Sequence, residues 1–217
     1  MNSLAEQKPP SKRLSGEERR AQLLRVASQL FARQGFSSTT MDEVAEQAGV
    51  TKPLLYQHFE SKKALYIELV DEIAHRVLKA VAIATANAKG PREQVELALR
   101  AYFEILVQDT DAFRLLYDRN HGGDDDLGRA VRRVEHALVE GVDPLVDAGL
   151  DERHRHLIAA AMVGMTEGAS ISWMDSDYAK NLDDHDERLA EAQRLASRVG
   201  GLMWAGLRAI HTDDSPA

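Results

Sequence analysis

The segment from Thr40 to Leu65, TMDEVAEQAGVTKPLLYQHFESKKAL, constrains the fold more than any other part of the chain. Apolar residues recur at helical spacing on both sides of Gly49, yet glycine and proline each destabilise a helix interior. One long helix is therefore excluded, and a loop has no use for the periodicity. Two short helices meeting at a tight turn satisfy both facts. Over Met41 to Ala48, Val44 and Ala48 lie one turn apart on an inward face, and Ala45 is small where a second helix crosses. Gly49 takes the turn, where a positive φ costs it little, and Val50 plugs the angle. Thr51 caps the second helix, and Pro53 in its first turn loses no hydrogen bond. Leu55 and Phe59, four apart, face the core. That leaves Lys52, Tyr56 and Gln57 outside.

The rest of the chain reads as helix. Before the corner, Leu23, Ala27, Leu30 and Phe31 share one face of a helix that starts near Gly16 and is expected to end at Gly35. Ser61 caps a long helix running to about Ala88, with Leu65, Leu69, Ile73, Val77 and Val81 at three- to four-residue spacing. Gly90-Pro91 separates it from a helix carrying Val95, Leu99, Tyr102, Phe103 and Leu106. A short helix follows Asp111, a polar loop spans Asn120 to Asp126, and a helix from Leu127 to Val146 bends near Pro144. The last two helices cover about Asp151–Met174 and Asp186–Ile210, with the polar stretch DSDYAKNLDDH expected as loop. No strand alternation and no repeat is present, so the fold class is all-α.

Charge is unevenly placed. The net charge is −8, but residues 1–66 carry +3 and the remainder −11. A polyanion would meet the first third of the chain. Lys62 and Lys63 stand beside a helix N-terminus, where cations gain nothing from the helix dipole, which suggests an external anion. No run of about 18 apolar residues predicts a membrane span, no secretory signal opens the chain, and there is no cysteine; the expected location is cytoplasmic.

The corner, together with the preceding LFARQGF, resembles the N-terminal DNA-binding domain of the TetR family of bacterial transcriptional regulators. The spacing of Thr40, Ala45, Ala48-Gly49-Val50, Thr51, Tyr56, Phe59, Lys62 and Leu65 carries the resemblance, which covers about a quarter of the chain. Residues 1–14, with two prolines and few apolar residues, read as a disordered basic arm, and the resemblance implies a three-helix helix-turn-helix domain over 15–62 and a larger helical domain for effector binding and dimerisation over 63–217. It further implies that Thr40, Thr51, Tyr56, His58 and Lys62 approach DNA phosphates, while Lys52, Pro53, Leu54 and Gln57 lie near base edges. Phosphate contacts fix register and groove-edge contacts read sequence.

A single reading head finds few bases, so a homodimer on two half-sites about 34–36 Å apart is expected. Leu157, Ala161, Gly164 and Gly168 form one candidate dimer stripe, and Leu195, Val199, Leu202 and Gly206 another; the resemblance implies that they meet their symmetry mates as a four-helix bundle. Tyr102, Phe103, Leu106, Phe113, Tyr117, Met165 and Trp173 are candidates for an apolar effector pocket. Arg114, Asn120, Glu135, His136 and Thr166 are possible orienting groups. The expected function is a repressor released from a palindromic operator by a small lipophilic or acyl-like effector. Ligand would act through the long helix that begins at Ser61. Two rivals stay open: an all-α enzyme, for which no GxSxG, P-loop, GxGxxG or HExxH is present, and a helical ligand-binding protein without DNA affinity. No cofactor or metal is expected, since His154 and His156 lie on different faces of one helix.

Overall fold

The computed structural model describes residues 14–117, 125–146, 149–182 and 184–210. Over them the chain is helical, with no strand: α1 Gly16–Ser38, α2 Met41–Gln47, α3 Lys52–His58, α4 Lys62–Thr85, α5 Pro91–Gln108, α6 Thr110–Leu116, α7 Asp125–Val142, a 3₁₀ turn Asp143–Leu145, α8 Glu152–Asp175, α9 Asp177–Lys180 and α10 His185–Ala209. The arm expected over 1–14 (save Leu14), Asn120, residues 122–124 of the acidic run and Asp183 lie outside the described residues.

Local hydrogen bonds set where the helices begin. Ser15 with Glu18 and Thr40 with Glu43 form reciprocal capping boxes on α1 and α2. Side chains of Ser61, Asp109, Asp151 and Asp184 accept the first free N–H groups of α4, α6, α8 and α10. Gly35, expected to end α1, instead kinks it at φ 79°, and a last turn continues to Ser38. Gly49 takes the corner between α2 and α3 at φ 64°. The stretch expected as loop before α10 contains one helical turn, α9, because Ser176 accepts the N–H of Ala179 at 3.1 Å.

Leu23, Ala27 and Phe31 of α1 meet Val44 and Ala45 of α2, Leu55 of α3, and Leu65 and Leu69 of α4 in the helix-turn-helix core. That core runs without a break into the larger domain. At the junction Tyr66 is fully buried, contacts the rings of Phe31 and Phe36 at 5.3 Å each, and donates its hydroxyl to Leu115 O of α6 at 3.1 Å. In the larger domain α4 packs on α5 and α7, while α10 lies along α5.

Candidate nucleic-acid interface and ligand cavity

The second helix of the corner, α3, is amphipathic about one turn and a half. Leu55 is fully buried and Phe59, just past its end, nearly so. Thr51, Lys52, Pro53, Tyr56 and Gln57 are exposed, with Leu54 and His58 half-buried. Thr51 stands exposed at the N-cap without a side-chain capping bond; Pro53 has no N–H, and the N–H of Leu54 bonds Thr51 O at 3.0 Å. Thr40 has its N–H and hydroxyl both directed to Glu43, at 2.8 and 2.9 Å. Lys52 bonds Asp42 of α2 at 2.7 Å with both side chains more than half exposed, and this partner raises its pKa. Such a pair is weak in water and opens readily.

Two cations hold this unit to α4, and sequence reasoning missed one of them. Arg20 of α1 makes a two-pronged pair with Glu68 of α4, donates to His58 O in the last turn of α3 at 2.9 Å, and lies 4.6 Å from the Phe59 ring centroid. One guanidinium thus ties three helices. Its signal was the Arg20–Glu68 separation, far too long for pattern reading. Lys62 donates to Phe36 O and Thr39 O at 2.7 Å each and to Ser37 O at 3.3 Å, and its ammonium lies 4.5 Å from the Phe36 ring centroid. The external anion expected beside these lysines is not required. Lys62 finds its partners in the carbonyls where α1 ends, and Lys63 bonds Asp126 of α7 at 2.7 Å. The phosphate contact expected of Lys62 requires those bonds to open.

In the larger domain α4, α5, α7, α8 and α10 enclose a cavity of about 540 Å³. Its wall is mainly aliphatic: Val77, Leu78 and Val81 of α4, Val95 and Leu99 of α5, Leu138 and Val142 of α7, Leu145, Met162 and Val163 of α8, and Met203 of α10. Thr85, Gln94, Tyr102, Tyr117 and Thr166 are its polar lining, and no charged side chain lines it among the described residues. Tyr102 is nearly buried, bonded to Tyr117 and, at 3.1 Å, to Ser170. Burial holds both phenols protonated, Tyr102 pushed up to about 12 and Tyr117 well above the usual range. A second, more open cleft between α1, α6 and α10 contains Arg25, Asp109, Asp111, His185 and Arg188.

Three of the ten effector candidates, Tyr102, Tyr117 and Thr166, line the cavity; the other seven are corrected. Phe103, Leu106 and Phe113 are fully buried behind it, with Phe103 and Phe113 stacked edge-on against Tyr102 at 5.2 and 5.3 Å. Trp173 is buried toward Arg188, whose guanidinium lies 5.8 Å from its ring. Arg114 bonds Met174 O at 2.9 Å and pairs with Asp175, His136 is exposed beside Glu140, and Met165 is 40% exposed on the outside of α8. Position on a helix is the reason: Tyr102 and Phe103 are adjacent in sequence but about 100° apart around α5.

Of the dimer candidates, Leu157, Ala161, Gly164 and Gly168 on α8 and Leu202 and Gly206 on α10 are exposed. Val199 is corrected: it is buried inside its own subunit, and Leu195 packs against that core too. By length and composition alone α8 is apolar enough to cross a membrane, with mean hydropathy 1.2 over its best window, of which only 22% is buried. Counting uninterrupted apolar runs missed this because Thr166, Glu167 and Ser170 punctuate the helix.

A chain helical throughout its described residues, whose corner presents a short helix outward and is joined to a larger helical domain with an apolar cavity, has the architecture of a helix-turn-helix regulator. Residues 23–69 match the family described as bacterial regulatory proteins, tetR family. The chain is 30% identical over 167 residues to the HTH-type transcriptional activator FasR of Mycolicibacterium smegmatis, covering 76% of each. The chain belongs to the TetR family of transcriptional regulators. Among solved structures, a TetR-like regulator from Rhodococcus sp. RHA1 superposes with TM-score 0.70 at 26% identity, over 91% of this chain and 100% of that one. FadR of Bacillus subtilis, in complex with stearoyl-CoA, shares the fold at TM-score 0.68 and 18% identity, over 88% of this chain and 99% of that one.

Proposed function

We propose that the chain is a cytoplasmic homodimer that binds an operator through α3 and is released when a long-chain acyl thioester fills the cavity. The DNA-reading unit is residues 15–62 and the ligand and dimer unit 63–217. The single observation that carries the reading is the cavity itself. Its volume of about 540 Å³ lies within the range of small-molecule sites, roughly 300–1,000 Å³. With no charged lining among the described residues it suits a neutral chain whose charged head stays outside. The stearoyl-CoA complex of a protein of the same fold supports that choice. Exposed Leu157, Leu202 and the open glycines of α8 and α10 form the face that pairs two copies, with no membrane needed to cover it.

In this reading Thr40, Thr51, Tyr56 and His58 meet phosphates, Lys62 joins them once its internal bonds open, and Lys52, Pro53, Leu54 and Gln57 read bases. Ligand contacts with Val77, Leu78, Val81 and Thr85 bias the tilt of α4, whose other end is bolted to α1 and α3 by Lys62 and by Glu68 with Arg20. An unequal affinity for the two tilts is all the switch requires. Repression follows where the operator overlaps a promoter. A second reading, activation from an upstream operator, is favoured by the activator relative. Fluorescence anisotropy on the upstream DNA of the gene, with and without stearoyl-CoA, tests the core of this. Binding to that DNA no tighter than to random duplex, or affinity indifferent to ligand, overturns it; light scattering on the eluted peak tests the dimer.

A further inference from the structure

The hydroxyl groups in the cavity wall have a fixed polarity. Each hydroxyl owns one proton. Ser170 donates its proton to Thr166 O at 2.7 Å. The 3.1 Å bond between Ser170 and Tyr102 must then carry the proton of Tyr102. With that proton committed, the bond between Tyr102 and Tyr117 carries the proton of Tyr117. The chain of donors therefore runs from Tyr117 inward to a helix carbonyl, and Tyr117 Oη keeps only lone pairs, strengthened as an acceptor by the donors behind it.

The other wall hydroxyls agree. Thr166 donates to Met162 O at 2.9 Å and Thr85 to Val81 O at 2.9 Å, so each shows the cavity lone pairs alone. Glu167 and Glu135 add negative potential near Tyr117. Among the described residues that line the cavity, Gln94 is the one side chain with an uncommitted proton, and it stands a full two turns of α5 from Tyr102.

We infer that the cavity selects a chain bearing a hydroxyl, or another neutral hydrogen-bond donor, at the depth of Tyr117, in preference to a keto group or an unadorned chain. The inference rests on the cavity being the effector site and adds the functional group that this site reads. A carbonyl placed there meets only acceptors and loses its water for nothing, whereas a hydroxyl completes the wall.

The test compares dodecane, a mid-chain dodecanol and the matching dodecanone, each displacing a fluorescent fatty-acid probe, with stearoyl-CoA measured alongside. The wild type binds the alcohol about three- to tenfold tighter than the ketone, the span of one net buried hydrogen bond. Tyr117→Phe keeps the ring and its packing and abolishes that preference. Ser170→Ala is the decisive variant: Ser170 is fully buried and does not line the cavity, but its loss frees the proton of Tyr102 for Tyr117, whose own proton then faces the ligand. Ketone affinity rises in Ser170→Ala while dodecane affinity stays at the wild-type value. Ketone binding as tight as alcohol in the wild type, a preference surviving Tyr117→Phe, unchanged ketone affinity in Ser170→Ala, or binding of none of the series overturns the inference. An alcohol preference without any binding of stearoyl-CoA overturns the acyl-thioester reading and leaves the donor preference standing.

Discussion

Replacing Arg20 by methionine should loosen α3 without changing any of its own residues. Methionine keeps the apolar stem and removes three interactions. The pair with Glu68 is 41% and 33% exposed and, screened accordingly, contributes about 1 kcal/mol. The bond to His58 O adds about 1 kcal/mol, and the guanidinium over Phe59 about 0.5 kcal/mol. Because these share one group they do not simply add, and a net loss of about 2 kcal/mol is expected. A chain of this size loses roughly 2–4 °C of Tm per kcal/mol, so Tm should fall by about 4–8 °C at fixed protein concentration. The informative readouts are local. Hydrogen exchange over residues 52–59 should quicken, and operator affinity should fall while affinity for random duplex barely moves, since a rocking helix loses register before it loses charge. Arg20→Lys should recover less than half of the Tm, because an ammonium lacks the fork that reaches Glu68 and His58 together. Wild-type exchange over 52–59 together with an unchanged Tm would refute the role assigned to Arg20.

Other outcomes follow from the same contacts. Lys62→Met should lower Tm and make the salt dependence of operator binding shallower by about 0.9, the signature of one lost phosphate contact; an unchanged slope would confine Lys62 to its internal carbonyl bonds. Asp42→Ala frees Lys52 and should tighten operator binding a few-fold in anisotropy, while Lys52→Ala should relax the preference for operator over random duplex. At Gly141 a Cβ would lie 2.6 Å from Leu78 Cδ2, so Gly141→Ala drives Leu78 into the cavity. Long-chain affinity should drop by roughly fourfold per methylene displaced, and Leu78→Ala in the same chain should restore it. The raised pKa values of Tyr102 and Tyr117 mean that the fold holds their protons more tightly than the unfolded chain does. That contribution is complete below pH 10 and declines as pH rises toward about 12, where Tyr102 titrates. Alkaline unfolding should therefore coincide with the last phenolate absorbance, and Tyr117→Phe should blunt it.

The reading head was legible because its instructions are local. A capping box at Thr40 and Glu43, a glycine at 49 and a proline at 53 each act within four residues, and together they leave one arrangement. The cavity was not legible for the opposite reason. Five helices contribute to it, and periodicity tells which face of α5 is buried without telling which neighbour covers it. Aromatic residues drew attention to Phe103 and Phe113, which brace the wall from behind, and to Trp173, which is buried toward Arg188, while the wall proper is made of valine, leucine and methionine that any core would use. Two signals were available: the apolar stripe of α4 continues past Ile73, farther than the helix-turn-helix core requires, and Thr85 interrupts it. Val199, unlike Leu202 and Gly206 of the same stripe, is buried in its own subunit on a helix that packs along α5, a partner that spacing alone does not name.

One consequence concerns how such a protein can change its ligand and keep its gene. The cavity residues contributed by α7, α8 and α10 include none of those that bolt α1 and α3 to α4, whereas α4 carries cavity-lining residues at one end and the partners of Arg20 and Phe36 O at the other. Substitutions at Leu138, Met162 or Met203 can therefore reshape chemical taste while leaving operator recognition as it was. Substitutions along α4 are heard at both ends at once, so the tuning of sensitivity and the tuning of specificity are written on separate helices.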